Sequence, residues 1–302
     1  MAARARLAAR KRDRDAGEVN RRFAIAALGA AIAHGQELPD IRSVAADLVV
    51  PPMSEGAPAA GRRVRAVTSG WENTAVYHAL YLPPDWSGDG KRPVIVELPG
   101  NGGFRSAHGD ECNGRPEGCN LGFGVAQDAI WVSAPFVAAS GRAIAEKWWG
   151  DAPAYDPEPT LAYLRATVRE VCARFGGDAS RVVLAGFSRG SIAVNYIGLH
   201  DDETAKLWRA FICYSHFDGV RRWPYPGSDS AAARARLARL AGREQFICGE
   251  GANADETRKV LGSSPGFTFA STGFRNHNDA WILRPSETRA QLREWFRAVI
   301  AR

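Results

Sequence analysis

A serine stands between two glycines in the pentapeptide GFSRG, residues 186–190, at the point where an apolar run ends. The run 181–185 is typical of a buried strand, and the stretch 191–197 has the length and spacing of a helix. A strand that passes into a helix through G-x-S-x-G makes a tight turn that lifts the serine hydroxyl above the sheet. An ordinary turn capped by Ser188 is the alternative, but it gives neither glycine a purpose. The sequence therefore predicts Ser188 as a nucleophile.

Apolar runs alternate with helical patterns through most of the chain. The runs lie at 62–67, 75–82, 93–98, 129–134, 181–185, 210–214, 245–248 and 267–271, and the helical patterns at 160–175, 191–200, 231–240 and 286–300. The first two runs alternate like an antiparallel pair of strands. Strands that alternate with helices predict an α/β fold with a doubly wound, mostly parallel sheet of about eight strands. We expect no large cap domain.

The N-terminus differs in composition from the rest of the chain. Residues 1–22 hold eight Arg and Lys against three Asp and Glu, and a mildly apolar segment at 23–33 ends in Ala-x-Ala. These are the parts of an export signal, and the pair Arg21-Arg22 suggests the twin-arginine type; a surface helix is the alternative. We therefore expect a signal at 1–33, a linker or extended arm at 34–61, a catalytic domain at 62–302, and a periplasmic or secreted protein.

The net charge of +6 is concentrated in that N-terminal segment, so the remaining chain is almost neutral. A neutral body is a poor binder of phosphates, and we expect no nucleic-acid partner. Beyond the N-terminus no apolar run is long enough to span a membrane.

The five cysteines indicate no metal site, because no pair or Cys/His cluster has zinc spacing. Cys112 and Cys119 bracket a loop-like hexapeptide in which a local disulfide would be easy to form. The other three cysteines lie in apolar patterns typical of core residues. We expect neither a metal nor a cofactor.

A serine hydroxyl needs a base to be a nucleophile at neutral pH. His277 follows the last predicted strand and precedes the C-terminal helix, where the chain order Ser, acid, His places its base. His216, two residues after the strand 210–214, is the rival, and a pocket or substrate-contacting role also suits it.

The base needs an orienting carboxylate, and the spacing does not decide which one. Asp255 is the first choice, because the loop after the strand 245–248 is long enough to curl back to His277, although Asp255 could simply cap a helix. Glu250, at the end of that strand, is the alternative acid, and Asp218 is third.

The tetrahedral intermediate of acyl transfer needs two N–H donors for its oxyanion. One is expected from the backbone of Arg189, directly after the nucleophile. The other is expected from Asn101 in the loop PGNGGF, residues 99–104, where glycines allow close approach of the backbone.

Two adjacent tryptophans, Trp148 and Trp149, lie in a polar loop beyond the strand 129–134. They are predicted to stack on a sugar ring or an aromatic acyl group. Packing of the loop onto the body is the alternative.

The stretch 178–190, DASRVVLAGFSRG, is similar to the nucleophile region of α/β-hydrolase-fold serine esterases, in the group of polyhydroxybutyrate depolymerases, feruloyl esterases and acetylxylan esterases. The resemblance in order of elements covers about residues 62–300. It implies a Ser-His-Asp relay, no metal, and acyl-enzyme hydrolysis of an ester, including carbohydrate- or polymer-linked esters. The chain departs from the pattern at Pro99-Gly100, where His-Gly is common, and lacks the usual Asp spacing after Gly249. A peptidase or thioesterase with the same residues, and a non-catalytic binding protein on this fold, are the alternatives.

Overall fold

The computed structural model describes residues 37–107, 110–262 and 265–302. Its strands are β1 (Met53–Ser54), β2 (Arg63–Ala66), β3 (His78–Tyr81), β4 (Arg92–Leu98), β5 (Phe104–Arg105), β6 (Glu111–Cys112), β7 (Ile130–Ser133), β8 (Phe136–Val137), β9 (Ile144–Ala145), β10 (Gly177–Phe187), β11 (Ala210–Tyr214), β12 (Gln245–Gly249) and β13 (Phe267–Ser271). Its α-helices are α1 (Leu121–Val125), α2 (Glu158–Arg174), α3 (Arg189–Tyr196), α4 (Asp202–Ala205), α5 (Ser230–Leu237), α6 (Asn253–Leu261) and α7 (Glu287–Ile300). Short 3-10 helices lie at Ile41–Ser43, Pro116–Gly118, Ala238–Leu240 and Asp279–Leu283.

Nine of these strands form one sheet in the order β1-β2-β3-β7-β4-β10-β11-β12-β13. The strands from β7 to β13 in this order are all parallel, and β3 is antiparallel to both of its neighbours. The α/β fold with a mostly parallel sheet is confirmed, and so is the antiparallel first pair. The ninth strand is β1, which lies in the segment predicted as a linker or arm and pairs in parallel with β2.

The sheet carries a hydrophobic core on each face. Successive side chains of a strand point to opposite faces, so Val94 and Val96 of β4 lie in one core and Ile95 lies in the other. Helices α2 and α3 cover the first face, and α1 and α7 cover the second. This arrangement is the doubly wound architecture that the alternating pattern predicts. Among the described residues no helical cap domain is inserted.

The strand register gathers the ends of the central strands at one edge. Leu98 of β4 pairs with Gly186 of β10, and Phe187 pairs with Tyr214 at the end of β11. Tyr214 in turn pairs with Cys248 of β12. The residues directly after these strand ends therefore meet beyond the carboxyl edge of the sheet, where open α/β sheets place their functional groups.

The N-terminal arm contacts the body of the protein from residue 39 onward. Ile41 is buried, and the carboxylate of Asp47 accepts two hydrogen bonds from Arg289 of α7, at 2.5 and 2.6 Å. The chain from Pro39 to Arg302 forms one compact unit. The export signal predicted for residues 1–33 lies outside the described residues and stays a prediction. In the part that the structure describes, no helix has the length and apolar character that crossing a membrane requires.

Candidate active site

Ser188 lies on a strained turn between β10 and α3. Its backbone φ of 55° and ψ of −115° lie in a region that non-glycine residues rarely adopt. A Cβ atom at Gly186 would overlap the carbonyl group of Gly190, and one at Gly190 would overlap the carbonyl oxygen of Leu98. Both glycines therefore allow the helix to begin directly against the ends of β10 and β4.

Three side chains from three different loops form a hydrogen-bonded chain at this edge. The Ser188 hydroxyl lies 3.0 Å from Nε2 of His277, and Nδ1 of His277 lies 2.7 Å from Oε1 of Glu250. Ser188 is buried, and the side chains of His277 and Glu250 are 17% and 12% exposed. The geometry is that of a nucleophile, a base and an orienting carboxylate.

The structure places Glu250, rather than Asp255, at His277. Helix α6 begins at Asn253, and the Asp255 side chain in its first turn is 63% exposed and faces Arg258 at 3.8 Å. Asp218 is also engaged elsewhere, because its buried carboxylate forms an ion pair with Arg236 at 2.8 Å. The expectation that Asp255 reaches His277 is thereby corrected, since the early start of α6 turns that residue toward solvent.

A buried tyrosine holds the loop that carries His277. The Tyr214 hydroxyl lies 3.0 Å from the carbonyl oxygen of Asn276 and accepts a hydrogen bond from the N–H of Asn278 at 3.3 Å. Burial raises the pKa of Tyr214 well above its usual range, so the hydroxyl keeps its proton. Oδ1 of Asn276 also accepts a hydrogen bond from the backbone N–H of Ile41 in the arm, at 2.8 Å. His277 is therefore fixed on both sides along the chain.

Sequence analysis did not single out Ser215, although it lies directly after β11. Its hydroxyl oxygen is 3.0 Å from Nδ1 of His277, 3.1 Å from Oε1 of Glu250 and 2.8 Å from Nδ1 of His216. Its backbone φ is 84°, a strained value for serine. Only its position at a strand end could have indicated a role for Ser215, because the dipeptide Ser-His belongs to no recognised motif.

The two expected oxyanion donors are Arg189 and Asn101, and of these Arg189 directly follows Ser188. Arg189 is the first residue of α3, and its N–H has no acceptor within the helix. Asn101 follows β4, the strand neighbour of β10, in the glycine loop. A Cβ at Gly100 would lie 2.7 Å from Sγ of Cys112, so this glycine also serves the packing of the loop.

Trp148 and Trp149 are both buried, at 7% and 0% exposure. Trp149 stacks on Tyr196 with ring centroids 4.7 Å apart, and the Arg189 guanidinium lies 4.2 Å from the ring centroid of Trp148. The expectation that these rings offer free faces to a substrate is corrected. Their packing against α3 instead stabilises the helix that begins at the nucleophile.

A cleft of about 650 Å³ lies next to His277, bordered by Phe104, whose ring centroid is 5.4 Å from that of His277, and by Asn278. Its other walls are mostly polar or charged and include Arg105, Glu111, Asn113, Arg115 and Glu146. Sequence analysis did not identify this cleft, because β5, β6 and the loop at 113–120 carry no periodic pattern.

Asp279 lines this cleft, and its buried carboxyl group lies near the buried carboxyl group of Glu97. The N–H of Asn120 is 3.3 Å from Glu97 and 3.1 Å from Asp279. Glu97 also accepts hydrogen bonds from the N–H groups of Leu121 and Gly122, but burial outweighs them and raises the pKa of Glu97 above its usual value. Burial and the neighbouring Glu97 raise the pKa of Asp279 to about 7.

The cysteines that bracket the loop at 113–118 are free thiols in the structure, and so are the other three. Burial raises the pKa of Cys112 to about 12, which keeps it in the unreactive thiol form. Among the described residues no group of three or more His, Cys, Asp and Glu side chains is arranged to hold a metal ion.

Comparisons with known proteins agree with this fold. No protein-family model and no curated protein matches the chain. Among solved structures it is similar to a post-proline cleaving enzyme from Rickettsia typhi, with a TM-score of 0.50, 13% identity, and coverage of 80% of this chain and 37% of that one. It is also similar to fungal esterases from Rhizomucor miehei, with a TM-score of 0.48, 10% identity, and coverage of 80% and 83%. A thermostable esterase gives a TM-score of 0.48 and 15% identity, with coverage of 78% and 62%.

These likenesses concern the fold alone. The chain has the α/β-hydrolase fold, with a central sheet of nine strands. It spans less than two thirds of the length of the thermostable esterase and of the Rickettsia enzyme. Which reaction the chain carries out has to be argued from its own residues.

Proposed function

We propose that this protein is a serine hydrolase that cleaves carboxylic esters through an acyl-enzyme on Ser188. The observation that carries the proposal is the continuous hydrogen-bonded chain from Ser188 through His277 to Glu250, with distances of 3.0 and 2.7 Å. Its first member lies on a backbone turn with a φ of 55°. Backbone strain of this kind costs free energy and is retained mainly at functional sites.

In the proposed reaction, Nε2 of His277 takes the Ser188 proton while the serine oxygen attacks the ester carbonyl carbon. The resulting imidazolium is stabilised by the Glu250 carboxylate at Nδ1. His277 then gives the proton to the leaving alcohol as its C–O bond breaks, which leaves the acyl group on Ser188. Water attacks this acyl-enzyme with His277 again as base. The bond between the acyl carbon and Oγ of Ser188 then breaks, His277 returns the proton to Ser188, and the acid is released.

The backbone N–H groups of Arg189 and Asn101 are the proposed donors to the oxyanion. The N–H of Arg189 is free of the helical hydrogen-bond pattern, because it lies at the first position of α3. Pairing of Leu98 with Gly186 supports the proximity of Asn101, three residues beyond Leu98, to the nucleophile turn. Loss of one such donor typically costs about 10²- to 10³-fold in kcat.

The polar cleft beside His277 supports a substrate with polar groups near the ester, including carbohydrate- or polymer-linked esters. This substrate class is also the one implied by the resemblance of residues 178–190 to polyhydroxybutyrate depolymerases, feruloyl esterases and acetylxylan esterases. The expected export signal would put the activity in the periplasm or outside the cell. The proposed reaction involves no nucleic acid.

A peptidase or thioesterase would use the same three side chains, and a non-catalytic binding protein would use none of them. The experiment is hydrolysis of p-nitrophenyl acetate and butyrate by the full chain, together with labelling by a fluorophosphonate probe. Ser188→Ala and His277→Ala should each lower kcat by about 10³-fold or more.

Matched controls separate catalysis from folding. Ser180→Ala removes an exposed serine near the start of β10, and His200→Ala removes a histidine beyond the end of α3, so both should turn over like the wild type. Labelling of Ser188 without ester hydrolysis would favour the peptidase or thioesterase alternative. If the wild type shows no turnover and Ser188 is not labelled, the enzyme proposal is contradicted and the binding protein is favoured.

A further inference from the structure

The Ser215 hydroxyl lies within hydrogen-bond distance of several groups but has only one proton to donate. Its neighbours are Oε1 of Glu250, Nδ1 of His277, Nδ1 of His216 and, at 3.4 Å, the amide nitrogen of Asn253. A hydroxyl offers one donor and two acceptor lone pairs. The Asn253 amide is closer to Glu250, at 2.7 Å, so its hydrogen bond goes mainly to the carboxylate and not to Ser215.

The protons of this network follow from the chemistry of its members. A carboxylate can only accept, so the 3.1 Å contact requires Ser215 to donate to Glu250. His277 already holds its proton at Nδ1, because Nε2 must accept from Ser188 in the proposed reaction. That proton points to Glu250 at 2.7 Å. Since the Ser215 proton also goes to Glu250, the 2.8 Å contact between Ser215 and His216 requires Nδ1 of His216 to donate to the Ser215 oxygen. This tautomer leaves Nε2 of His216 with a free lone pair.

That lone pair is open to an incoming group. Within the described ranges no protein atom makes a hydrogen bond to Nε2 of His216, and this nitrogen is not among the enclosed polar atoms that lack a partner. The ring is held by stacking on Trp223, with centroids 5.6 Å apart and planes at 22°. Burial, followed by the nearby His277, lowers the pKa of His216 to about 4. Nε2 is therefore an acceptor at all pH values well above 4.

His216 lines a narrow pocket next to the catalytic side chains, with Ser215, Trp223, Asn253, Arg221 and Glu256. Its volume of about 10 Å³ holds roughly one water-sized group. Arg221 and Glu256 neutralise each other in an ion pair at 2.8 Å, so the pocket favours a neutral donor over an ion. The ring centroids of His216 and His277 are 5.2 Å apart, so His216 lies close enough to the proposed base to contact a group of the bound ester.

We propose that this pocket, the His216 pocket, takes a substrate hydroxyl attached one or two carbons away from the ester group, and that this hydroxyl donates its proton to Nε2 of His216. His216 is then a specificity-determining residue that does not itself transfer a proton. The inference rests on the proposed esterase function and narrows its substrates to esters with a neighbouring hydroxyl, on either the alcohol or the acyl part.

The test uses the full chain and three small esters, and the rate of hydrolysis is measured from the release of protons. Ethyl acetate has no hydroxyl, 2-hydroxyethyl acetate carries one on the alcohol part, and ethyl glycolate carries one on the acyl part. The quantity measured is the ratio of kcat/KM for each hydroxylated ester to that for ethyl acetate. Comparison of this ratio between variants cancels the effect of the hydroxyl on the intrinsic reactivity of the ester.

Two conservative variants separate the two nitrogen atoms of His216. His216→Asn keeps an amide near Nδ1 and removes the outer acceptor, whereas His216→Gln keeps an acceptor near Nε2. For one of the two esters, His216→Asn should lower the ratio about fivefold, which is the typical worth of one neutral hydrogen bond. His216→Gln should retain most of the ratio, and the control His200→Ala should retain all of it.

The ester that responds identifies the side of the substrate that enters the pocket. A ratio that His216→Asn leaves unchanged for both esters would overturn the inference while p-nitrophenyl acetate is still hydrolysed. If His216→Asn does not fold, the test uses His216→Gln alone. A loss of the ratio of about fivefold in His216→Gln would then overturn the inference. Absence of all turnover and of fluorophosphonate labelling would remove the proposed function, and this inference with it.

Discussion

Oε1 of Glu250 lies 2.7 Å from Nδ1 of His277, although 26 residues separate the two along the chain. The carboxylate follows β12 directly, and the histidine follows β13, the strand that pairs with it. Adjacent parallel strands thus bring the proposed acid and the proposed base together at one edge of the sheet. Asp255 lies five residues after Glu250, in the first turn of α6, and its side chain faces solvent.

The first prediction separates these two carboxylates. Glu250→Gln should lower kcat for p-nitrophenyl acetate by roughly 10²- to 10⁴-fold, because the histidine loses the charge that orients it and stabilises its protonated form. Asp255→Asn should change kcat less than about twofold, since an exposed ion pair contributes little. Steady-state kinetics of both variants beside the wild type test this, and equal losses in the two would contradict it.

The second prediction concerns the tyrosine that holds the His277 loop. Tyr214→Phe leaves the buried carbonyl of Asn276 without its partner, which should cost about 1–3 kcal/mol of stability. It should also lower kcat about tenfold or more with little change in KM, because the base is no longer held in position. Tyr225→Phe is the matched control, since it removes a buried hydroxyl that donates to Asp218 at 2.8 Å. A similar loss of kcat in both variants would show that Tyr214 acts through stability alone.

The third prediction tests the close approach at the nucleophile turn. In Gly190→Ala the new Cβ would overlap the carbonyl oxygen of Leu98 and lie 2.7 Å from that of Pro99. Backbone atoms cannot move aside easily, so the variant should lose about 2 kcal/mol or more in chemical denaturation. Gly90→Ala, where nothing lies within 4 Å of the new atom, should be neutral or slightly stabilising. Equal stability of the two variants would contradict the steric argument.

The fourth prediction is a pH dependence of stability from Asp279. Its pKa rises from the usual 3.8 to about 7 through burial and the nearby Glu97. Between these values the folded protein binds more protons than the unfolded chain, so the contribution of this group to stability falls as pH rises through the window and levels off above about 7. Asp279→Asn cannot titrate, and its melting temperature should fall less than that of the wild type between about pH 4 and 7.5.

Thermal unfolding followed by circular dichroism at steps of half a pH unit measures this difference. The comparison of slopes between the two proteins removes the contribution of the other titrating groups that they share. Identical slopes would mean that Asp279 keeps an ordinary pKa in the folded protein.

Much of the fold could be predicted because it depends on local patterns. The run 210–214 forms β11 with the predicted bounds, and the pattern at 286–300 forms α7 from Glu287 to Ile300. The strands of a parallel sheet are buried on both faces and read as apolar runs, and each helix shows its own spacing. Strand β1 was not predicted, because two residues are too few to show any period.

The candidate site was accessible to sequence analysis only in part. Ser188 was predicted from a turn whose steric requirements show in five consecutive residues, and His277 from its place after the last strand. The pairing of β12 with β13, and the start of α6 at Asn253, decided which carboxylate faces His277.

The sequence by itself determined the strand-to-helix turn and the order of the elements, because both depend on neighbours along the chain. Only the tertiary structure decided that Glu250 meets His277, that Trp149 is buried, and that the Ser215 hydroxyl lies among the catalytic groups. The physical reason is that these contacts join separate loops. Their geometry is set by the register of paired strands and by close packing at the sheet edge, neither of which leaves a periodic signal in the residues concerned.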